Sequence, residues 1–231
     1  METKRTFSLF ILIIIFSYSN AQVKWNLIAG FTSSNITVKD AEGNKTNTKS
    51  TPGIYLGIGT TIPLINNLSL EPSLVYAKRG FKQDIINNGW VDGNDFEAKV
   101  SYFELPVDIV YHPKIGPGNL LLAAGPYIGY GSKGSWKTKG NLIVDDIVYP
   151  ESNGDVVFQK ENTGLGNNTY LYGKPWDYGL HFKIGYSLFD HYTISLNLQR
   201  GLANLEPKFV NYTRNQSVKN NSIGINLMYS L

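Results

Sequence analysis

The stretch Trp176-Asp177-Tyr178-Gly179-Leu180-His181-Phe182-Lys183-Ile184-Gly185-Tyr186-Ser187-Leu188 (WDYGLHFKIGYSL) decides the fold. Its even positions, from Trp176 to Leu188, are all apolar or aromatic, and its odd positions are Asp, Gly, His, Lys, Gly and Ser. An amphipathic helix repeats apolar residues at three and four, whereas a strand with two unlike faces repeats them at two. The stretch is thirteen residues long. A usual soluble strand has about 5–6, and a tilted strand that crosses a bilayer needs about 9–11.

The same alternation recurs outward from this segment. Tyr192, Ile194, Leu196 and Leu198 alternate with Thr193, Ser195, Asn197 and Gln199, and Ile223, Ile225, Leu227, Tyr229 and Leu231 with Ser222, Gly224, Asn226, Met228 and Ser230. Eight segments read this way, at 23–33, 53–63, 68–81, 99–111, 120–132, 176–189, 191–202 and 221–231. Three connections are short (Pro63–Asn67, His112–Asn119, Asp190-His191) and four are long (34–52, 82–98, 133–175, 203–220). Long and short alternate along the chain. An up-and-down transmembrane barrel does this, with short periplasmic turns and longer extracellular loops. An even strand number then leaves both termini on the periplasmic side.

A lipocalin-like barrel would turn the apolar face inward around a ligand. The polar set here is rich in Gly, Ser, Asn and Thr, which suits a narrow wet interior. The apolar set carries aromatics near the strand ends, at Trp25, Phe31, Tyr76, Tyr111, Tyr130, Trp176, Tyr192 and Tyr229. These positions suit the girdles at two membrane interfaces. A closed ring is also required, because lipid offers no partner to an open sheet edge. The expectation is an all-β, eight-stranded antiparallel transmembrane barrel.

Composition agrees. Charged residues are 17%, with 23 Gly and 15 Tyr, a balance that favours β-structure over helices. The 21 Lys+Arg against 18 Asp+Glu give +3, which argues for no nucleic-acid partner. With Cys at zero, disulfides, thiolate metal sites, Cys nucleophiles and a lipidated N-terminal Cys are excluded. At the N-terminus, Lys4 and Arg5 precede the apolar run Phe7–Phe16, and Ser19 and Ala21 place small residues before Gln22. This is the pattern of a cleaved export signal over 1–21. The run is too short for a spanning helix. Residues 22–231 form the barrel domain, bound for a bacterial outer membrane.

Four stretches carry a resemblance: Asn20-Ala21-Gln22, Tyr102-Phe103-Glu104-Leu105-Pro106-Val107, Gly125-Pro126-Tyr127-Ile128-Gly129, and Asp177-Tyr178-Gly179-Leu180 leading into Gly185-Tyr186. In this order they resemble the PorT-like outer-membrane β-barrels, small eight-stranded proteins of Gram-negative bacteria. The resemblance covers nearly the whole mature chain and implies fold and location. One founding relative is tied to protein secretion across the outer membrane, and the family implies no single activity. Such strands usually end in an aromatic; here Tyr229 stands two residues before the terminal Leu231. The barrel-insertion machinery is an expected partner.

Parity turns Lys24, Glu71, Arg79, Glu104, Asp108, Asp177, His181 and Lys183 toward the lumen. Side chains nearly fill an eight-stranded barrel, and charges there need partners. A polar network is expected in which Glu104 and Asp108 meet Lys183, with His181 and Glu71 nearby. It reads as a plug; an ion or proton path is the functional alternative. No catalytic site is expected. Lipid A deacylases pair a His with a Ser two residues on, and none of His112, His181 or His191 has Ser at that position. Asp92-Gly93-Asn94-Asp95 and Asp145-Asp146 lack the ligand spacing of a calcium loop. No metal or cofactor is expected.

The 133–175 loop holds Leu142–Tyr149, a polar turn, and Val156–Lys160, which reads as a hairpin continuing the fifth and sixth strands above the membrane. Trp136, Tyr149, Tyr170 and Tyr172 would be its contact aromatics. The expected role is structural or interaction-based, through loops meeting lipopolysaccharide, a surface polymer or an envelope protein. Secretion accessory and narrow pore are the alternatives.

Overall fold

The computed structural model describes residues 23–87, 91–138, 141–144, 147–150, 153–162, 169–189, 191–209 and 215–231, and side chains within them except at 85–87, 91–94, 141–144 and 147–150. The proposed export signal at 1–21 and the pair Asp145-Asp146 lie outside the described residues.

Eight long strands form the barrel: β1 (Lys24–Lys39), β2 (Lys49–Ile65), β3 (Leu68–Asn87), β4 (Val91–Tyr111), β5 (Gly118–Lys137), β6 (Trp176–Leu188), β7 (Tyr192–Gly201) and β8 (Ser217–Ser230). Each pairs antiparallel with its chain neighbours, and β8 pairs with β1 to close the ring. The apolar set faces outward: Leu27, Ile58, Leu74, Leu105, Ile128, Ile184, Ile194 and Ile225 are all exposed. The polar set faces inward: Asn26, Glu71, Glu104, Asp177, Asn197 and Asn226 are buried. Among the described residues no helix is long and apolar enough to cross a membrane.

The short end is built from tight turns. Ile65 pairs with Leu68 across two residues, of which Asn66 sits at φ +38°. Asn tolerates this left-handed region better than most residues.

The long end differs from the sequence reading. Residues 82–98 are not an open loop: β3 and β4 stay paired as far as Asn87 opposite Asp92. β1, β2 and β5 also continue past the expected 33, 53 and 132. The alternation is lost to the eye there because the outward positions no longer face hydrocarbon. The outward positions become Lys and Ser while the inward ones become aromatic. A register shift in β5 contributes, since Tyr102 pairs with Gly131 but Ser101 with Lys133. The extra residue, Ser132, reverses the parity beyond it. Trp136, which parity had sent outward with Tyr130, therefore turns inward and stacks on Phe96 at 5.9 Å.

The 133–175 segment is also not the single hairpin expected. Asn141–Val144 pairs with Ile147–Pro150 and rests on β4 at Val91 and Asp92. Asn153–Phe158 pairs separately with the outer end of β5, and Thr169–Gly173 runs parallel to it. Parallel pairing needs a long crossover rather than a tight turn, so no hairpin pattern could announce it.

Candidate functional site: the charged lumen and its closed mouth

Three layers fill the barrel from the periplasmic side outward. In the lowest, Lys183 on β6 donates to Glu71 on β3 at 2.9 Å and lies 3.1 Å from Asp108 on β4. His181 Nδ1 lies 2.9 and 3.0 Å from the two Asp108 oxygens. A carboxylate only accepts, so Nδ1 carries the hydrogen of this pair. Glu71 also accepts from Thr61 at 3.1 Å, Thr61 from Asn26 at 2.8 Å, and Asn26 from Ser230 at 2.8 Å. The chain of bonds thus reaches from β6 across the lumen to β8. Beside it, His181, Lys183, Ser195, Asn197 and Asn226 line a cavity of about 20 Å³. His181 Nε2, Asn197 Oδ1 and Asn226 Oδ1 are buried there without a protein partner. Such a volume suits a single water. An Asp–His pair supplies two of the three members of a hydrolase triad, but this space admits no substrate beside it. His191 bonds the backbone carbonyl of Ser230 instead.

The middle layer is built on Arg79 of β3. Its guanidinium donates to Glu104 on β4, to Gln199 on β7, and to Ser222 on β8 at 3.1 Å. Gln199 donates back to Glu104 at 2.9 Å. Arg79 lies over the rings of Tyr102 and Tyr127 at 5.8 and 5.9 Å. Just outward, Asp177 accepts from Asn220 at 3.0 Å and from Tyr127 at 3.2 Å, and Asn220 accepts from Tyr172 at 3.0 Å. Glu104 therefore does not meet Lys183, as the sequence reading expected. It belongs to Arg79, because it lies four residues outward of Asp108 on the same face.

The third layer is apolar. Phe81, Phe96, Ala98, Val100 and Tyr102 line the inner wall, and Val156, Tyr172, Ala203 and Leu205 descend onto them from the connecting segments. Phe158 and Tyr170 pack against the same cluster. Backbone bonds lock the layer: Gln159 donates to Gly173, Lys174 to Leu205, and Leu205 to Val218. Gly173 sits at φ +152° with Leu205 against its α-carbon. Trp136, Tyr170 and Tyr172, expected as rim contacts for a partner, thus belong to the mouth's own core. Tyr149 lies opposite Leu142 in the outer hairpin, and its side chain is outside the described residues.

On the outer wall, Trp25, Tyr111, Tyr192 and Tyr229 sit toward the short-turn end, all exposed. The rings of Tyr192 and Tyr229 are 5.1 Å apart. Tyr76, Phe103, Tyr130 and Trp176 face one another in succession across β3 to β6 toward the other end.

Arg79 was legible by parity, as were Gln199 and Ser222; what sequence could not supply was which charge meets which. Tyr102 and Tyr127 were also on the inner parity, but aromatic residues draw attention as wall or girdle rather than as partners of a buried guanidinium.

Closed ring, lipid-ready wall and polar interior define a small transmembrane β-barrel protein. The chain belongs to the family described as "Outer membrane protein beta-barrel domain", which matches residues 17–206. It is a bacterial outer-membrane protein. No curated protein matches it in sequence. Among solved structures it is similar to Ail, the attachment invasion locus protein of Yersinia pestis, at 9% identity and a TM-score of 0.37, covering 90% of this chain and 98% of that one. It is also similar to Neisserial surface protein A at 10% and 0.39, covering 89% and 96%. The outer membrane protein OprG from Pseudomonas aeruginosa matches at 11% and 0.41, covering 90% and 95%.

Proposed function

We propose that this protein is a non-conducting barrel with a structural or interaction role, presented through its extracellular end to another component of the envelope. One observation carries the reading. Arg79 joins β3 to β4, β7 and β8 through the middle of the lumen, and an apolar layer lies above it. A pore needs water where this structure puts a guanidinium and a packed core. The contact region then shifts from the aromatics of 133–175 to what lies outside them, chiefly the hairpin of Asn141–Val144 and Ile147–Pro150.

Within the family, the four stretches ending at Gly185-Tyr186 favour the PorT-like barrels, and an export signal over 1–21 is consistent with an outer-membrane destination. A role as a secretion accessory would add loss of exported cargo on deletion of the gene.

The test is single-channel recording of the purified protein in a planar bilayer. A folded, silent barrel is expected. Steady openings whose size changes in Lys183→Gln or Glu104→Gln would overturn the reading in favour of a pore.

A further inference from the structure

The outer wall changes character one step beyond the row Tyr76, Phe103, Tyr130. Next outward on the same face, Lys78 is opposite Ser101 and Ser101 opposite Lys133. Then come Gly80, Lys99 and Ser135, and then Lys82, Glu97 and Lys137. Nine outward positions on three strands thus hold five lysines and one carboxylate.

That carboxylate is already committed. Glu97 accepts from Thr51 at 2.7 Å and has Lys137, Lys99 and Lys82 at 3.3, 3.4 and 3.6 Å. Its side chain is 9% exposed, while the lysines reach out at 54, 44 and 45%. The next acid outward, Asp84, is held by Lys49 at 2.6 Å. Asp155, exposed, faces the patch from the adjoining segment opposite Ser135, and the ammonium groups still outnumber the carboxylates in reach. Strand spacing makes the patch about 10 Å wide and ~13 Å tall.

Directly below lies apolar surface. A groove floored by Ala29 and Gly57 runs between Leu56 and Leu74 and ends at Tyr76 and Phe103, beneath the lysines. Lys78 lies 5.9 Å from the Tyr76 ring centroid, at the junction of the two surfaces. A ligand that fits both must carry anionic groups at one end and alkyl chain at the other.

We propose that Lys78, Lys82, Lys99, Lys133 and Lys137 form a binding site for the phosphorylated headgroup of an outer-leaflet glycolipid, with an acyl chain in the groove below. A soluble polyanion would need the lysines but not their junction with the lipid-facing wall. Clustered basic residues at a membrane surface attract anionic headgroups, additively and over about a Debye length.

The test is lipid binding by native mass spectrometry on the detergent-solubilised protein, with bisphosphorylated lipid A and the same lipid stripped of its phosphates as probes. Lipid A should bind, and the stripped lipid should bind at least tenfold more weakly, as expected where phosphates carry the affinity. The combined variant Lys78→Gln/Lys99→Gln/Lys133→Gln should weaken lipid A binding on the order of 10- to 100-fold. Arg200→Gln/Lys219→Gln, on other strands of the wall, should leave it unchanged, as should Lys→Arg at the same three positions. Equal binding of both lipids, equal loss in the Arg200/Lys219 variant, or binding of soluble polyphosphate but not of lipid A would each overturn the proposal.

Discussion

At the scale of the residue, the interior is governed by which charge has which partner. Arg79 and Glu104 are 2% and 1% exposed. Removing one member of such a pair leaves the other buried without compensation, at a cost of about 3–5 kcal/mol. Arg79→Met should lower stability by that order in urea titrations of folded barrel in detergent. The double variant Arg79→Met/Glu104→Gln should recover much of the loss, giving a coupling energy in a double-mutant cycle. Strict additivity would mean that the two residues do not stabilise each other. The outer wall obeys a different rule. Ile184 is exposed on β6 midway along the lipid-facing stretch, so Ile184→Arg should destabilise by about 2–4 kcal/mol at mid-bilayer depth. If this variant folds into bilayers as well as the parent, the two faces of β6 have been exchanged. Parity alone made that assignment legible from Trp176 to Leu188. It could not match Glu104 with Arg79, because the match depends on how far each strand is staggered against its neighbour. Nothing local in Glu104-Leu105-Pro106 encodes that stagger.

At the scale of the element, the strands run past the bilayer and keep a second core there. Phe81, Phe96 and Tyr102 from the wall meet Tyr172 and Leu205 from the connecting segments. A solvated loop would be dispensable. Deleting 153–173 should instead lower the thermal transition of the barrel while leaving the ring able to form, read by heat-modifiable migration in gels. An unchanged transition would show that this segment adds nothing to the fold. The same strand extensions hold the Glu97 cluster. Burial would raise the Glu97 carboxyl, but the Thr51 hydroxyl, Lys137, and the charges of Lys99 and Lys82 together bring it down to about 2. A depressed carboxyl stabilises the fold at pH above its unfolded value, near 4.5, and that stability is lost as pH falls through about 2. Hydrogen exchange of the paired segment Lys82, Glu97 and Lys137 should therefore stay slow at pH 5 and quicken between pH 4 and 2, and Glu97→Gln should abolish the change. The sequence hid this element for a physical reason. Beyond Lys78 and Phe103 the outward face leaves the hydrocarbon, so the apolar–polar contrast that betrays a membrane strand fades, and Ser132 then inverts what remains.

At the scale of the whole molecule, the barrel has two seals in series, and they differ in kind. The outer seal is apolar packing among Val156, Tyr172, Leu205 and the inner wall. The inner seal is Arg79 bound to three strands at once, with Lys183, Glu71 and Asp108 beneath it. An eight-stranded ring is only wide enough for its own side chains, so either seal alone suffices to stop ions. The inner one also leaves an excess of acid: Glu71, Glu104, Asp108 and Asp177 are buried against Arg79 and Lys183. This orders the expected behaviour of variants. Deleting 153–173 should leave the barrel silent in a planar bilayer, because Arg79 still spans the lumen. Arg79→Ala alone should also be silent, because the mouth cluster still covers it. The two together should produce openings, and those openings should prefer cations, since the surviving interior charge is negative. Cation selectivity should weaken when Glu104→Gln is added. Openings in the single deletion would place the whole barrier in the mouth; silence in the combined variant would put it in the Lys183 layer, where His181 and Asp108 close the remaining width.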